Sequence, residues 1–446
     1  MFHKLKKQKS NTLLIGKGFS LLDVKKDKFV DIEQKEDSRK GHTFVFGTTR
    51  VGKTRLAENC IIQDIKAGKN VVIIDPKIDG DLFSSVYQAC VETEREEDLM
   101  LLSSIHAEDS VHINILKNYY IEDEVISHVM AGVPADDEFF YNYAYEITSV
   151  IVRGSIYLKK VEKEDASITF NEIAQNVSFE AVKKIVDKLK KHKDEDALRL
   201  EVLGNSILES EKEYFGKVSS TLRGTLTQLT TGNLAKVVSK TEGNAFIDRI
   251  EKNQGAILYV QTGAMLQKQS SLILGKVVIS MIQAIVGRFF ASGLKFKIPL
   301  CVYIDEMSNC TYRGVEDMFN KAGGCNCFIT GLTQSPADII AEIGQDRARK
   351  LFDNTNTKIF MRMNDIDSAK TLKVYAGKAI RYTSQLSLGG AIRSTEIEEE
   401  ILTETDFTEL RAREFFYFGF EGKFKGKTVK IKDPYYKIEL PNILRD

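Results

Sequence analysis

Cysteine is sparse in this chain, six in 446 residues, and that scarcity excludes a disulfide-built scaffold. Cys325 and Cys327 lie one residue apart, which is not zinc-ligand spacing, and no His-Cys cluster accompanies them. A reducing, cytoplasmic setting is the expected one. Net charge is missing as well. Lys+Arg and Asp+Glu are both 63, so no positive coat covers the chain, and any nucleic-acid contact must come from a local stripe or ring. Long apolar runs are also absent: no stretch reaches the roughly 18 uncharged apolar residues that span a bilayer. Leu272 to Phe290 comes nearest, but Lys276 and Arg288 interrupt it, and it reads as a buried core helix. The N-terminal MFHKLKKQKS is basic yet lacks the apolar segment of a signal peptide. The sequence as given therefore reads as a soluble protein. What remains is an ordinary globular composition, 43% hydrophobic and 28% charged. The length suits two or three domains, or one large domain with an insertion.

What is present is organised around GTTRVGKT, Gly47 to Thr54. Two glycines five positions apart followed by Lys-Thr is a phosphate-binding pattern. Gly47 and Gly52 let the backbone turn tightly and bring N–H donors onto phosphate oxygens. Lys53 would reach the β- and γ-phosphates, and the Thr54 hydroxyl would ligate Mg²⁺. The expected cofactor-binding set is Gly47, Thr48, Thr49, Arg50, Val51, Gly52, Lys53, Thr54 and Arg55. The context supports the motif. HTFVF, His42 to Phe46, reads as a buried strand before the loop. After it, Leu56, Ala57, Cys60, Ile61 and Ile65 fall at helical spacing, with Gly68 as the stop. A helix N-terminus would therefore point at the bound anion.

Further buried strands follow. VVIID, Val71 to Asp75, ends in a turn that places Asp75, Lys77 and Asp79 near a nucleotide, near the next subunit, or simply in solvent. Leu300, Val302 and Ile304 run straight into Asp305-Glu306, so two carboxylates sit at a strand's end. Asp305 would hold Mg²⁺ through water, and Glu306 would orient and polarise the attacking water. CNCFITGLTQS, Cys325 to Ser335, puts Gln334 where a neighbouring strand's end meets the γ-phosphate or that water. AILYVQ, TKIFMRM and EFFYFGF supply more strands. Roughly seven strands joined by helical stretches imply an α/β fold with a mainly parallel sheet of the RecA-like P-loop kind.

Between about Asp81 and Asp248 long amphipathic stretches dominate, such as the one with Phe179, Val182, Ile185, Val186 and Leu189 on one face. The expected organisation is an appended N-terminal segment over 1–40, a motor domain from 41–80 and 249–446, and a mostly helical insertion over 81–248. Tyr214 to Gly232, rich in Ser and Thr, suits a packed helix, with a subunit contact or passage lining as the alternative.

These stretches resemble conjugative DNA-coupling proteins of the TraD/TraG type, within the wider FtsK/HerA group of hexameric DNA-pumping ATPases. The residues that carry the resemblance are HTFVFGTTRVGKTRLAE, VVIIDPKIDGDL, VYIDEMSN, FNKAGGCNCFITGLTQS, NTNTKIFMRMND and LTETDFTELRAREFFYF, in order from His42 to Phe420. The resemblance implies ATP and Mg²⁺ as cofactors, DNA as the moved polymer and a homo-hexameric ring with ATP sites between neighbours. It also implies partners, namely a relaxase or relaxosome and a type IV secretion channel. Localisation is then cytoplasmic, with the cytoplasmic face of the inner membrane as the working place. Such proteins usually carry N-terminal membrane helices, and none is visible here; residues 1–40 are either a small element leading into the core or what is left beside a lost anchor. A soluble HerA-like translocase in DNA processing or defence, and a protein-secretion ATPase, are the alternatives. A cation acting across the subunit interface is also implied. FNKAGG offers Asn320 and Lys321 where many relatives have an arginine, so Arg362 is the favoured candidate, ahead of Arg313 and Lys321.

Overall fold

Four all-buried residues, Thr43–Phe46, form the strand that leads into the glycine-rich loop. Their unbroken apolar run fits a strand covered on both faces. In the computed structural model, which describes residues 12–22, 29–134, 137–239, 243–263, 265–386 and 392–441, that strand lies inside a large sheet. In chain order the strands are β1 (Thr12–Ser20), β2 (Val30–Lys35), β3 (Thr43–Phe46), β4 (Asn70–Asp75), β5 (Leu99–Ser103), β6 (Ile257–Gln261) and β7 (Leu300–Ile304). They continue with β8 (Cys327–Thr333), β9 (Thr357–Phe360), β10 (Lys378–Leu386), β11 (Ile392–Glu400), β12 (Glu414–Gly419) and β13 (Gly422–Thr428). The large sheet has eleven strands in the order β2-β1-β13-β12-β9-β3-β8-β7-β4-β6-β5, and β10 and β11 form a separate two-stranded ribbon. From β9 to β5 every neighbouring pair is parallel. The other end, β12, β13, β1 and β2, is antiparallel. This is a RecA-like P-loop fold, as expected.

Alternating side chains send the sheet's two faces into two cores. Phe44 and Phe46 join a core that continues into the helical unit, while Val45 joins the core under the helices Lys53–Lys66 and Gly80–Glu92. The apolar helix Lys268–Ala291 is the one described helix long and apolar enough to cross a bilayer. Here Leu274, Val278 and Ile282 are fully buried in the core, which is the placement expected of it.

Among the described residues, eight helices between Glu122 and Glu251 make the helical unit. On the helix Phe179–Leu189, Val182, Ile185, Val186 and Leu189 are buried. The helix Lys212–Thr230 buries Phe215, Val218, Leu222, Leu226 and Leu229. The sheet itself reaches further along the chain than the expected boundary at residue 80. The helix Gly80–Glu92 packs on Lys53–Lys66, and β5 pairs with β6. At the other end β1 pairs with β13, so part of the N-terminal segment also belongs to the sheet. We therefore propose drawing the helical unit at 122–251.

A buried ion pair fixes the loop-bearing helix to the strand that carries the acid pair. Arg39 Nη1 and Nη2 donate to Asp64 Oδ1 and Oδ2, both at 2.6 Å, and the Tyr303 hydroxyl of β7 donates to Asp64 Oδ2 at 2.5 Å. Burial pushes the Asp64 carboxyl up, but Arg39 outweighs it and holds the group well below the usual carboxylate range. Burial lowers His42 to about 4 and His128 to about 3, so both are neutral core histidines at pH 7.

Candidate nucleotide site

All seven parallel strands point their carboxyl ends the same way, so the residues just past those ends meet at one edge. Past β3 the chain turns through Gly47 to Gly52 and enters the helix Lys53–Lys66. Gly52, at φ 106°, sits where L side chains are strained. A Cβ on Gly47 would lie 2.9 Å from the Met361 Cβ, so the Met361 side chain beside it leaves room only for glycine. The loop is tied to its neighbours by its backbone. Gly47 N–H donates to the Thr333 and Gln334 carbonyls at 3.3 and 3.2 Å, Thr48 N–H to the Arg362 carbonyl at 2.9 Å, and Arg413 N–H to the Val51 carbonyl at 2.8 Å.

Lys53 is only 6% exposed, and its ammonium donates to the Gly47 carbonyl and, at 2.9 Å, to the Thr48 carbonyl. Burial lowers its pKa, and Glu306 and Asp305 pull partly the other way. Next in the chain, the Thr54 hydroxyl donates to Asp305 Oδ2 across 3.4 Å, joining the loop to the end of β7. Asp305 is 7% exposed, and its Oδ1 accepts from the Glu306 N–H at 3.0 Å. Glu306 adopts a left-handed backbone, φ 47° and ψ 57°. A bulky residue rarely takes that conformation, and here it turns the side chain at the strand's end.

The acid pair has a partner that was placed only loosely by sequence. Lys77 Nζ lies 3.0 Å from Asp305 Oδ2 and 3.0 Å from Glu306 Oε1. Burial lowers the Lys77 pKa, but Asp305 and then Glu306 outweigh it and raise it. Asp75 organises the turn that carries Lys77. Its two oxygens accept from Lys77 N–H at 2.9 Å, Asp79 N–H at 2.7 Å and the Tyr259 hydroxyl at 2.8 Å. Asp75 is thus a turn residue, and Asp79 caps the helix Gly80–Glu92 by accepting from Asp81 and Leu82 N–H.

The remaining expected residues distribute as follows. Thr49 and Arg50 are exposed on the loop, and Val51 is buried. Arg55 pairs with Glu58 at 2.8 Å on the first helical turn. Gln334 stands beside the loop, its carbonyl on Gly47 and its side chain exposed. Arg362 was expected near the end of a strand, but β9 stops at Phe360. It lies instead in the segment beyond, exposed, with its carbonyl on Thr48 of its own phosphate loop. Arg313 points away to the helical unit, 2.7 Å from Glu138 and stacked over Tyr141. Lys321 ends the helix Glu316–Lys321 that leads into the amino end of β8, so it sits at the opposite end of the sheet from the loop. Two contacts of the loop escaped the sequence reading. Asn364 Nδ2 donates to Thr48 Oγ1 at 3.3 Å, and Arg413 packs its Cγ over Gly52 while its guanidinium holds the Thr428 carbonyl at 3.0 Å.

Comparison with known proteins bears on the family and the fold. Residues 299–412 match the family described as the TraM recognition site of TraD and TraG. No curated protein matches the sequence. The fold is similar to that of the bacterial conjugative coupling protein TrwBdeltaN70 in its unbound form, with a TM-score of 0.68 at 14% identity over 91% of this chain and 88% of that one. It is also similar to TrwB in complex with ADP and Mg²⁺, with a TM-score of 0.63 at 13% identity over 92% and 88%. VirB4 of Thermoanaerobacter pseudethanolicus follows, at 0.56 and 12% over 93% and 97%. At such identities the likeness is one of fold. Together with the family match, it bears out the resemblance to TraD/TraG-type coupling proteins.

Proposed function

We propose that this chain is the ATP-hydrolysing, DNA-translocating motor of a conjugative coupling protein. One observation carries the reading: the phosphate loop and the acid pair meet, with the Thr54 hydroxyl 3.4 Å from Asp305 Oδ2. The donor set suits the ligands. Loop N–H groups and a helix N-terminus favour phosphate, and a hydroxyl beside a carboxylate offers the hard oxygens that Mg²⁺ takes. TrwB, of the same fold, has been solved with ADP and Mg²⁺.

In this reading Lys53 and the loop backbone hold the β- and γ-phosphates of ATP. Thr54 and Asp305 would hold Mg²⁺, which when bound neutralises charge on the phosphate oxygens. Glu306 orients the attacking water and accepts its proton. Gln334, from the adjacent strand end, senses the γ-phosphate. Arg362, expected as the cation that reaches across the subunit interface, has its carbonyl on Thr48 of its own loop, so in this reading its positive charge would serve its own subunit's site instead. A homo-hexamer with sites between neighbours, a relaxosome partner docking in the region 299–412, and a working place on the cytoplasmic side of the inner membrane complete the proposal.

DNA contact in such a motor follows the phosphates. The chain's charge balances to zero, and among the described residues no metal-built base-reading module is present. Affinity should therefore fall between 50 and 200 mM salt by about 10³-fold for duplex DNA and by roughly 300-fold for single-stranded DNA, if roughly six phosphates are contacted. It should vary little between sequences of one length. A fluorescence-anisotropy titration at several salt concentrations checks both; strong preference for one short sequence at fixed salt would overturn the proposal, and absence of DNA binding at low salt would favour a protein-moving ATPase.

A further inference from the structure

We propose that Lys77 is a further residue of the nucleotide site, the resident counter-ion of the Asp305–Glu306 pair, and that it competes with the divalent cation for Asp305. The inference rests on the reading of Thr54 and Asp305 as the metal end of that site.

Topology brings the three groups together. β4 and β7 are parallel neighbours with Ile74 opposite Ile304. The residues just beyond their ends therefore face one another, although 228 positions separate Lys77 from Asp305 in the chain. The two oxygens of Asp305 have different tasks. Oδ1 accepts from the Glu306 N–H, at 3.0 Å. Oδ2 is the oxygen that faces Thr54, and it is Oδ2 that the Lys77 ammonium holds. A metal ligated by Thr54 and served by Asp305 would want the same oxygen. Two cations on one carboxylate oxygen repel, so occupancy by one weakens the other.

This is more than a peripheral ion pair. The carboxylates are shielded, with side chains 9% and 16% exposed, while the Lys77 side chain is 47% exposed and has solvent to swing into. The backbone beneath it is held. Asp75 takes the N–H groups of Lys77 and Asp79, and Ile78, at φ 58°, is a β-branched residue in the left-handed region. A held turn with a half-exposed side chain is the arrangement that lets a lysine yield an oxygen without moving the chain. By pairing with Glu306 Oε1, the same ammonium also orients the water-activating carboxylate. Lys77 is thus a positioning residue for Glu306 and a competitor for the metal.

The test uses the whole protein without nucleotide and reads Mn²⁺ binding by electron paramagnetic resonance. Removing the ammonium in Lys77→Met, with Lys77→Gln as a second neutral variant, should tighten Mn²⁺ binding by about 10-fold or more. Lys77→Arg, which keeps the charge, should stay near the unmodified protein. Adding Asp305→Asn to Lys77→Met should abolish the gain. Unchanged Mn²⁺ affinity in both neutral variants, with melting temperatures like the parent's, would overturn the proposal, as would a gain that survives Asp305→Asn. A failure of the ATPase reading shows separately. In that case the unmodified protein would neither bind nor hydrolyse ATP, while a Lys77→Met gain dependent on Asp305 would still place the ammonium on the metal's oxygen.

Discussion

Lys53→Ala is expected to reduce ATP hydrolysis by a factor on the order of 10³, the scale seen when a group stabilising transition-state charge is removed. The reason is local. Lys53 is the buried cation of the loop, bonded to the Gly47 and Thr48 carbonyls, and in the proposed reading its ammonium follows charge onto the β- and γ-phosphates. Because it also braces the loop, ATP affinity should fall as well. Lys53→Arg should not restore the rate, since the guanidinium fork is larger and rigid where a compact point charge is seated. Steady-state phosphate release checks the rate, and a fluorescent ATP analogue checks binding. Undiminished hydrolysis in the alanine variant would remove the loop from the chemistry.

Glu306→Gln should separate what Lys53→Ala merges. The amide is nearly isosteric, so the left-handed turn at Glu306, its N–H bond to Asp305 and the Asp305 carboxylate stay as they are. The ability to accept a proton from water is lost, and the ion pair with Lys77 is reduced to a hydrogen bond to a neutral amide. Hydrolysis should fall by about 10²–10⁴-fold, while ATP affinity stays within a few-fold of the parent, because Lys53, Thr54 and Asp305 remain. The variant would then accumulate bound, uncleaved ATP in a single-turnover experiment. Loss of binding alongside loss of cleavage, as in Lys53→Ala, would contradict the division of roles between Asp305 and Glu306.

The sheet's parallel centre was legible because those strands are buried on both faces and therefore read as unbroken apolar runs, as in VVIID and LCVYI. Of its antiparallel end only β12 was, as EFFYFGF. β13 is GKFKGKT, mostly lysine and glycine, and β1 and β2 expose Lys17 and Asp31 on one side, so none of the three shows a core-strand signature. β5, LMLLS, has no β-branched residue, and it follows a long helical pattern that hid it. Within the site, Lys53, Thr54, Asp305 and Glu306 were legible because loop and acid motifs each have a fixed order in the chain. Lys77 was left open between nucleotide, neighbour and solvent, because its partners depend on β4 lying beside β7. Arg413 and Asn364 reach the loop through pairings that no local pattern announces. The end of β9 was overrun in the same way: TKIFMRM keeps apolar Met361 and Met363 past Phe360, but once the Phe46 carbonyl at the end of β3 has taken the Met361 N–H the chain leaves the ladder.

The measurement that bears most directly on the central claim is the ATP hydrolysis rate of the unmodified protein in Mg²⁺, with and without DNA, alongside the particle mass in the same buffers. The account predicts hydrolysis that DNA stimulates, in a particle of several subunits. A folded protein that hydrolyses no ATP in either condition would contradict it.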